Sequence, residues 1–323
     1  MTPSTFFGAY IVDLIIGDPR WVPHPVIIIG KFVGFLEGKI LTNLPLRKGG
    51  MWGLLDEKKG GIILWFAVVI PVYFITWGII EGCSFINLWF GAIITVLLAS
   101  MTLATRSLYD ESKIVINALN NGNIVEARKK LSMIVGRDTE NLDEQQIYRA
   151  VIETVSENLS DGIVAPMFYL ALGGVPLAMT YKAVNTLDSM VGYKNQKYRD
   201  IGAFSAKMDD ILNWIPARLT GLIIVIASVI LRFNWKDSWK IMRRDGRNHS
   251  SPNSGIPEAA MAGSLGIQLG GENRYFGEIV RKPTIGDRIN VMGRGDVKKT
   301  WAVMFASSIL MAAACMITLW VIQ

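Results

Sequence analysis

The sequence predicts an all-α, multi-pass integral membrane protein, and three observations carry that prediction. Of the 323 residues 51% are hydrophobic, 10 Trp are present and the mean hydropathy is +0.33, well above a soluble chain of this size. Two windows, residues 61–80 and 84–104, carry no charge over a length that crosses a hydrocarbon core of about 30 Å at about 1.5 Å per residue. Lys and Arg gather between the apolar windows, with seven in 17–60, seven in 105–162 and thirteen in 232–299, so the positive-inside rule turns all three stretches to the cytoplasm.

Taken in order, the chain opens with "MTPSTFFGAYIVDLIIGDPR", which has no Lys or Arg before Arg20 and carries Asp13 inside its apolar run. It does not read as a signal peptide and is expected to stay in the mature protein. Pro19, Pro23 and Pro25 then stiffen a connector. Residues 61–80 and 84–104 form a hairpin across the bilayer. Residues 105–162 are a helical cytoplasmic insert: a helix up to Leu119, an Asn-Asn-Gly-Asn turn at 120–123, then Ile124, Ala127, Leu131 and Ile134 at helical spacing. "GRDTENLDEQQ" is a polar break that caps the next helix. Residues 163–181 are uncharged but hold Pro166, Gly173, Gly174 and Pro176, so a half-span or a broken helix is as consistent with them as a straight one; a site shared with Glu157 requires the segment to be broken or re-entrant, or the residues from Asn185 on to sit in a cavity open to the cytoplasm. Residues 215–231 are a further span with Arg218 near its start, able to snorkel. Residues 232–299, rich in Gly, Asn and Pro, read as a long ligand-enclosing loop. Residues 300–323 are the last span. The sum is four to five spans in a single membrane-embedded domain, 1–323.

Several chemistries are absent from the pattern. There is no Walker loop, no dinucleotide fingerprint, no C-x-x-C and no H-E-x-x-H. "GRGDVKKT" at 293–300 has the wrong spacing for a phosphate loop and reads as a topology anchor. Cys83 and Cys315 read as reduced packing residues, and two histidines make a histidine-built site unexpected. No nucleic-acid partner is expected.

Carboxylates, Arg, Lys and Asn are left to carry chemistry, and they cluster. Asp13, Asp18, Arg20 and His24 sit on the proline-stiffened stretch, where an acid inside an apolar run needs a compensating partner. Arg149, Glu153, Glu157 and Asp161 repeat every four residues, with Asn158 among them, and lie along one helix stripe that runs straight into the uncharged segment. Asn185 and Asp188 lie one turn apart, followed by Lys194 and by Asp209 and Asp210. Hard oxygen ligands beside cationic side chains suit a magnesium-bound phosphate ligand. Asn253 and Glu258 lie on a Gly/Pro stretch whose backbone amides can approach a ligand closely.

The stretches "DLIIGDPRWVPHPVIIIG", "VGRDTENL", "ETVSENLSDGIVAPMFYLALGGVPLAMTYKAVNTLDSMVGY", "DDILNWIPARL" and "SPNSGIPEAAMAGSLGIQLGG", in that order, resemble the adenosylcobinamide-phosphate synthases of cobalamin biosynthesis, the CobD/CbiB family. The resemblance implies an inner-membrane ligase with a cytoplasm-facing site. It would join adenosylcobyric acid, a corrinoid, to an aminopropanol phosphate, with ATP as co-substrate and Mg2+ as cofactor, through an acyl phosphate. On this footing Glu153, Glu157, Asp161 and Asp188 compete for magnesium ligation or for deprotonating the amine, with Asp209 and Asp210 as further metal ligands. Arg137, Lys194 and Arg218 are candidates for phosphate contacts. Asp13, Asp18, Arg20, His24, Asp138, Asn158, Asn185, Asn253 and Glu258 would shape the substrate and ATP pocket. The family reading leaves room for a homo-oligomer and for a complex with other cobalamin-assembly membrane enzymes. A transporter using Asp13, Glu157 and Asp188 as relays, or a non-catalytic membrane sensor, are the alternatives; the presence of "ENLSDG", "NTLDSM" and "SPNSG" favours the enzyme.

Overall fold

The computed structural model describes residues 1–18, 23–43, 51–193, 197–275 and 277–322. In chain order the helices are α1 (Pro3–Ile16), α2 (Pro25–Asn43), α3 (Met51–Ile86), α4 (Leu88–Ser100), α5 (Thr105–Asn120), α6 (Ile124–Leu131), α7 (Glu144–Asn158), α8 (Ala165–Val191), α9 (Ala203–Leu212), α10 (Trp214–Ile230), α11 (Trp235–Asp245), α12 (Gly255–Leu265) and α13 (Arg294–Ile322). A π-helical turn, Leu159–Val164, joins α7 to α8, and one antiparallel hairpin pairs β1 (Leu269–Tyr275) with β2 (Glu278–Ile285). Among the described residues four helical stretches are long and apolar enough to cross a membrane: Glu57–Ile86, Leu88–Asn120, Glu144–Val191 and Arg294–Ile322. The pair α9 and α10, bent by 45°, makes a fifth where it is counted as one broken span rather than a re-entrant loop. The protein is an all-α, multi-pass membrane protein with a minor sheet.

The chain divides into two compact units, the first formed by 1–103, 166–212 and 315–323 and the second by 104–165 and 213–314. In the first, Ile29 and Val33 of α2, Leu64 and Val68 of α3, and Val184, Leu187 and Val191 of α8 make one apolar core. α3 and α4 form the expected hairpin. Its turn is capped by Asn87, whose Oδ1 accepts from the amides of Trp89 at 2.8 Å and Phe90 at 3.1 Å. Phe85, Ile86, Leu88 and Trp89 at this apex are 76–94% exposed, an arrangement suited to an apolar phase rather than water. Gly91 lets the arms close: a Cβ there would stand 2.7 Å from Ser84 Cα.

The uncharged segment is broken, and the break is sharp. Gly173 and Gly174 leave helical geometry, and Gly174 at φ 67°, ψ −162° occupies a region open in practice only to glycine. Tyr169 and Tyr181, one on each side, stack with ring centroids 5.0 Å apart. Twelve residues of straight helix would separate their Cα atoms by about 18 Å, so the two arms fold back on each other. Tyr169 also donates to the Leu212 carbonyl at 2.8 Å.

The second unit corrects the reading of 232–299 as a loop. That stretch holds α11, α12 and the β-hairpin. Its Gly, Ala and Ser residues permit close helix packing instead of marking turns: nearly all of α12 is buried, Ser238 Oγ donates to the Ala260 carbonyl at 2.8 Å, and Ser228 and Ser264 hydroxyls meet at 2.7 Å. A Cβ on Gly263 would come within 2.3 Å of the Asp237 carbonyl. Residues 105–162 are helical, with α5 and α6 separated at 121–123.

Gly91→Ala is expected to lower the stability of the detergent-solubilised protein by about 1–3 kcal/mol through overpacking. Gly78→Ala on α3, where an added Cβ meets nothing within 4 Å, should leave it unchanged or raise it. Thermal unfolding of the two variants measures the contrast, and equal melting temperatures would show that the hairpin is not packed as described.

Candidate active site

α7 is set by its first turn. Asp143 accepts from the Gln146 amide and the Gln146 side chain accepts from the Asp143 amide, both at 2.8 Å, a capping box that fixes the rotational phase of the helix. With that phase every residue from 147 to 156 except Arg149 is buried, so Glu153 does not look into solvent. The four-residue stripe stays on regular α-helix only through Glu157. The π-helical turn changes the pitch, and Asp161 lies within it, half-buried.

Arg137 and Glu153 form the centre of the arrangement. The Arg137 guanidinium donates to Glu153 Oε2 through Nη2 and to Asn273 Oδ1 through Nη1. Glu153 Oε1 accepts from the Gly270 amide at 2.8 Å. That approach depends on a β-bulge at Gly270/Gly271, where both residues have positive φ (76° and 83°). Arg149 adds a 3.9 Å ion pair to Glu153 and donates to the Glu272 carbonyl at 2.9 Å. Asp138 seals the outer edge, its Oδ2 accepting from the Gly277 amide at 2.7 Å while its own amide donates to the Arg274 carbonyl at 2.9 Å.

One turn further along α7, Glu157 Oε1 accepts from Ser254 Oγ at 2.9 Å, just before α12 begins. Glu258, on α12, is buried, and His249 Nε2 lies 3.9 Å from its Oε1. His249 Nδ1 accepts from the Ser251 amide at 3.1 Å, so in the neutral ring the proton sits on Nε2. Burial lifts the Glu258 carboxyl well above its usual range, and Glu153 and Glu157 push the same way. Burial lowers His249, opposed by Glu157 and reinforced by Lys282. Lys282 on β2 is pulled down by burial, yet Tyr275, Glu258 and Glu157 leave it above its usual value. The cluster thus sets a carboxyl held above its usual range and an imidazole held below its own beside Glu153, Glu157 and Lys282. Asn253 closes the edge, its Oδ1 accepting from Arg218 at 3.1 Å, with the guanidinium lying over the Trp214 ring at 4.2 Å.

The second unit therefore brings together Arg137, Asp138, Glu153, Glu157, Arg218, Asn253 and Glu258 of the expected set. Asn158, also here, turns its amide back to the Thr154 carbonyl at 3.0 Å. In the first unit Asp13 is buried on α1, and Asp18 pairs with His24 at 3.2 Å. Asn185 donates to Asp209 at 3.3 Å; Asp188 and Asp210 are half-buried. Arg20 and Lys194 lie outside the described residues. His249, Ser254, Asn273 and Lys282 were not expected. For Lys282 the one available signal was strand alternation, which turns it to the face opposite the exposed Arg281.

Among the described residues no three His, Cys, Asp or Glu side chains are grouped to hold a metal by themselves. A magnesium ion carried by nucleotide phosphates needs only one or two protein carboxylates. Glu157, half-buried and outside the Arg137 clamp, fits that demand as a single ligand, while Asp161, also half-buried, lies past the change of helix pitch.

Because the folded protein keeps a proton on Glu258 that the unfolded chain releases above 4.5, the penalty for burying it is absent below 4.5 and grows as pH rises towards the folded value. His249 acts the other way, contributing stability above 6.5 that is lost as pH falls through its lowered value. Glu258→Gln should flatten the fall in melting temperature as pH rises above 4.5, measured in chelator without nucleotide. An unchanged slope would show that Glu258 is not the buried acid responsible.

A family model described as CobD/Cbib protein matches residues 6–304. The chain is 48% identical to cobalamin biosynthesis protein CobD of Geobacter metallireducens, over 96% of this chain and 95% of the relative. It is 51% identical to the CobD of Clostridium perfringens, over 90% of each, and 47% identical to cobalamin biosynthesis protein CbiB of Salmonella typhi, over 97% of this chain and 96% of the relative. No solved structure matches. With the match running through the capped α7, the bulged hairpin and the buried α12 that build the acid cluster, the chain belongs to the CobD/CbiB protein family.

Proposed function

We propose that this protein acts in cobalamin biosynthesis as an adenosylcobinamide-phosphate synthase, joining the free carboxylate of adenosylcobyric acid to the amine of an aminopropanol phosphate at the expense of ATP. The relatives' names give the pathway. The observation that supports the chemistry is the convergence of carboxylates, guanidinium and ammonium groups around Glu157.

A carboxylate cannot be displaced by an amine until one oxygen becomes a leaving group. In the proposed route that oxygen attacks the γ-phosphorus, the bond to ADP breaks, and the acyl phosphate keeps the oxygen. The amine nitrogen then attacks the carbonyl carbon, inorganic phosphate departs with the original carboxylate oxygen, and the ammonium proton goes to a base. Lys282 is the cation that would meet phosphoryl oxygens, and Glu157, which accepts from Ser254 Oγ, is the acceptor for the amine proton. Glu153, tied down by Arg137 and the Gly270 amide, is a positioning residue. Glu157, with Asp161, would hold a magnesium ion carried on the nucleotide, and that ion would neutralise charge at the phosphates. The basic content of 105–162 and 232–299 and the location of ATP favour a cytoplasm-facing site.

The reaction is tested with protein in nanodiscs given adenosylcobyric acid, aminopropanol phosphate and Mg-ATP. Amide product is expected, and 18O in the corrinoid carboxylate should appear in the released phosphate. Glu157→Gln should lower kcat by about 100-fold or more at unchanged melting temperature. No amide from folded wild-type protein would overturn the assignment, and 18O found in AMP instead would overturn the acyl-phosphate route.

A further inference from the structure

A groove of about 860 Å³ opens in the second unit beside the loop that carries Arg137. Its walls come from three places: α6 supplies Arg128 and Lys129, the segment before α7 supplies Arg137 and Asp138, and the hairpin tip supplies Arg274 and Gly277. Four cationic side chains line it against two acids, Asp138 and Glu140. We propose that this groove seats the polyphosphate of a nucleoside triphosphate, which rests on the reading that the reaction consumes one.

The walls are built rather than incidental. Arg128 is held by its Nε, which donates to the Leu142 carbonyl at 2.8 Å, and its own carbonyl accepts from Thr139 Oγ1 at 3.0 Å. The Asp138 carboxylate is engaged by the Gly277 amide, which ties the hairpin tip to the opposite wall. Arg137 belongs to both places: its guanidinium lines the groove and also grips Glu153 and Asn273. Arg137 thus links the groove wall to Glu153 of the acid cluster.

Charge and size choose the ligand class. Four cations against two acids leave the groove net positive, as a polyphosphate requires, and bidentate guanidinium contacts suit phosphate oxygens. The volume falls in the range of pockets that enclose nucleotide-sized ligands, roughly 300–1,000 Å³, and far exceeds what a small phosphomonoester fills.

The test measures binding of a non-hydrolysable ATP analogue with magnesium to the full-length protein in nanodiscs, with O-phosphoethanolamine as the small-phosphomonoester arm. Lys129→Glu combined with Arg274→Glu should weaken the ATP analogue about 30-fold or more, since charged hydrogen bonds are worth about 1.5–3 kcal/mol each. The phosphomonoester affinity and the melting temperature should hold. Lys129→Gln with Arg274→Gln, which removes charge without reversing it, should give a smaller loss in the same direction. Unchanged analogue binding in an active wild-type background would overturn the groove assignment and leave the ligase reading standing. Selective loss of phosphoethanolamine would reassign the groove to the phosphomonoester. A wild type that binds no nucleotide would overturn both.

Discussion

The buried pair between Arg137 and Glu153 is the constraint on which the candidate site depends. Their side chains are 8% and 11% exposed, so neither charge is solvated well enough to stand alone. Each remaining donor or acceptor nearby is spent on a different element: Asn273 belongs to β1, Gly270 to the bulge, and Arg137 to the segment before α7. Removing one member of such a pair typically costs about 3–5 kcal/mol, because the other charge stays behind unpaired. The pair is poor evidence for extra stability, but it specifies register. It fixes where the hairpin lies along α7, and with it where Lys282 stands relative to Glu157.

The same economy of contact governs the helices around it. α12 has no large side chain between Ala259 and Ser264 apart from Met261, and this lets α10 and α11 approach its backbone closely. Serine hydroxyls at 2.7–2.8 Å replace the bulky packing of a soluble core. Small residues that stiffen by proximity hold Ser254 and Glu258 at the start of α12, where they face the acids of α7.

How far the sequence could be read follows from which signals are local. Spans 61–80 and 84–104 were legible because uncharged length is a one-dimensional property, and the Asp143 cap was legible because its partner is three residues away. Gly173 and Gly174 announced a break, though not that the arms would fold together until Tyr169 and Tyr181 were placed. α11 and α12 were missed because Gly, Ala, Ser and Pro carry opposite meanings in water and at a tight helix crossing. Glu153, Glu157 and Arg137 stood out by spacing and by the family resemblance. Lys282 and His249 did not, since their importance arises only once a hairpin 120 residues or so downstream of α7 folds over it.

The fold-back at Gly173–Gly174 bears on how such a chain is made. Its first arm runs on from α7 through the π-helical turn, and Met167 and Leu170 within it are buried. The Cys315 thiol meets the Met167 carbonyl and the Tyr169 hydroxyl meets the Leu212 carbonyl, both partners lying in segments synthesised later. These two contacts form only after the ribosome has passed Leu212 and then Cys315.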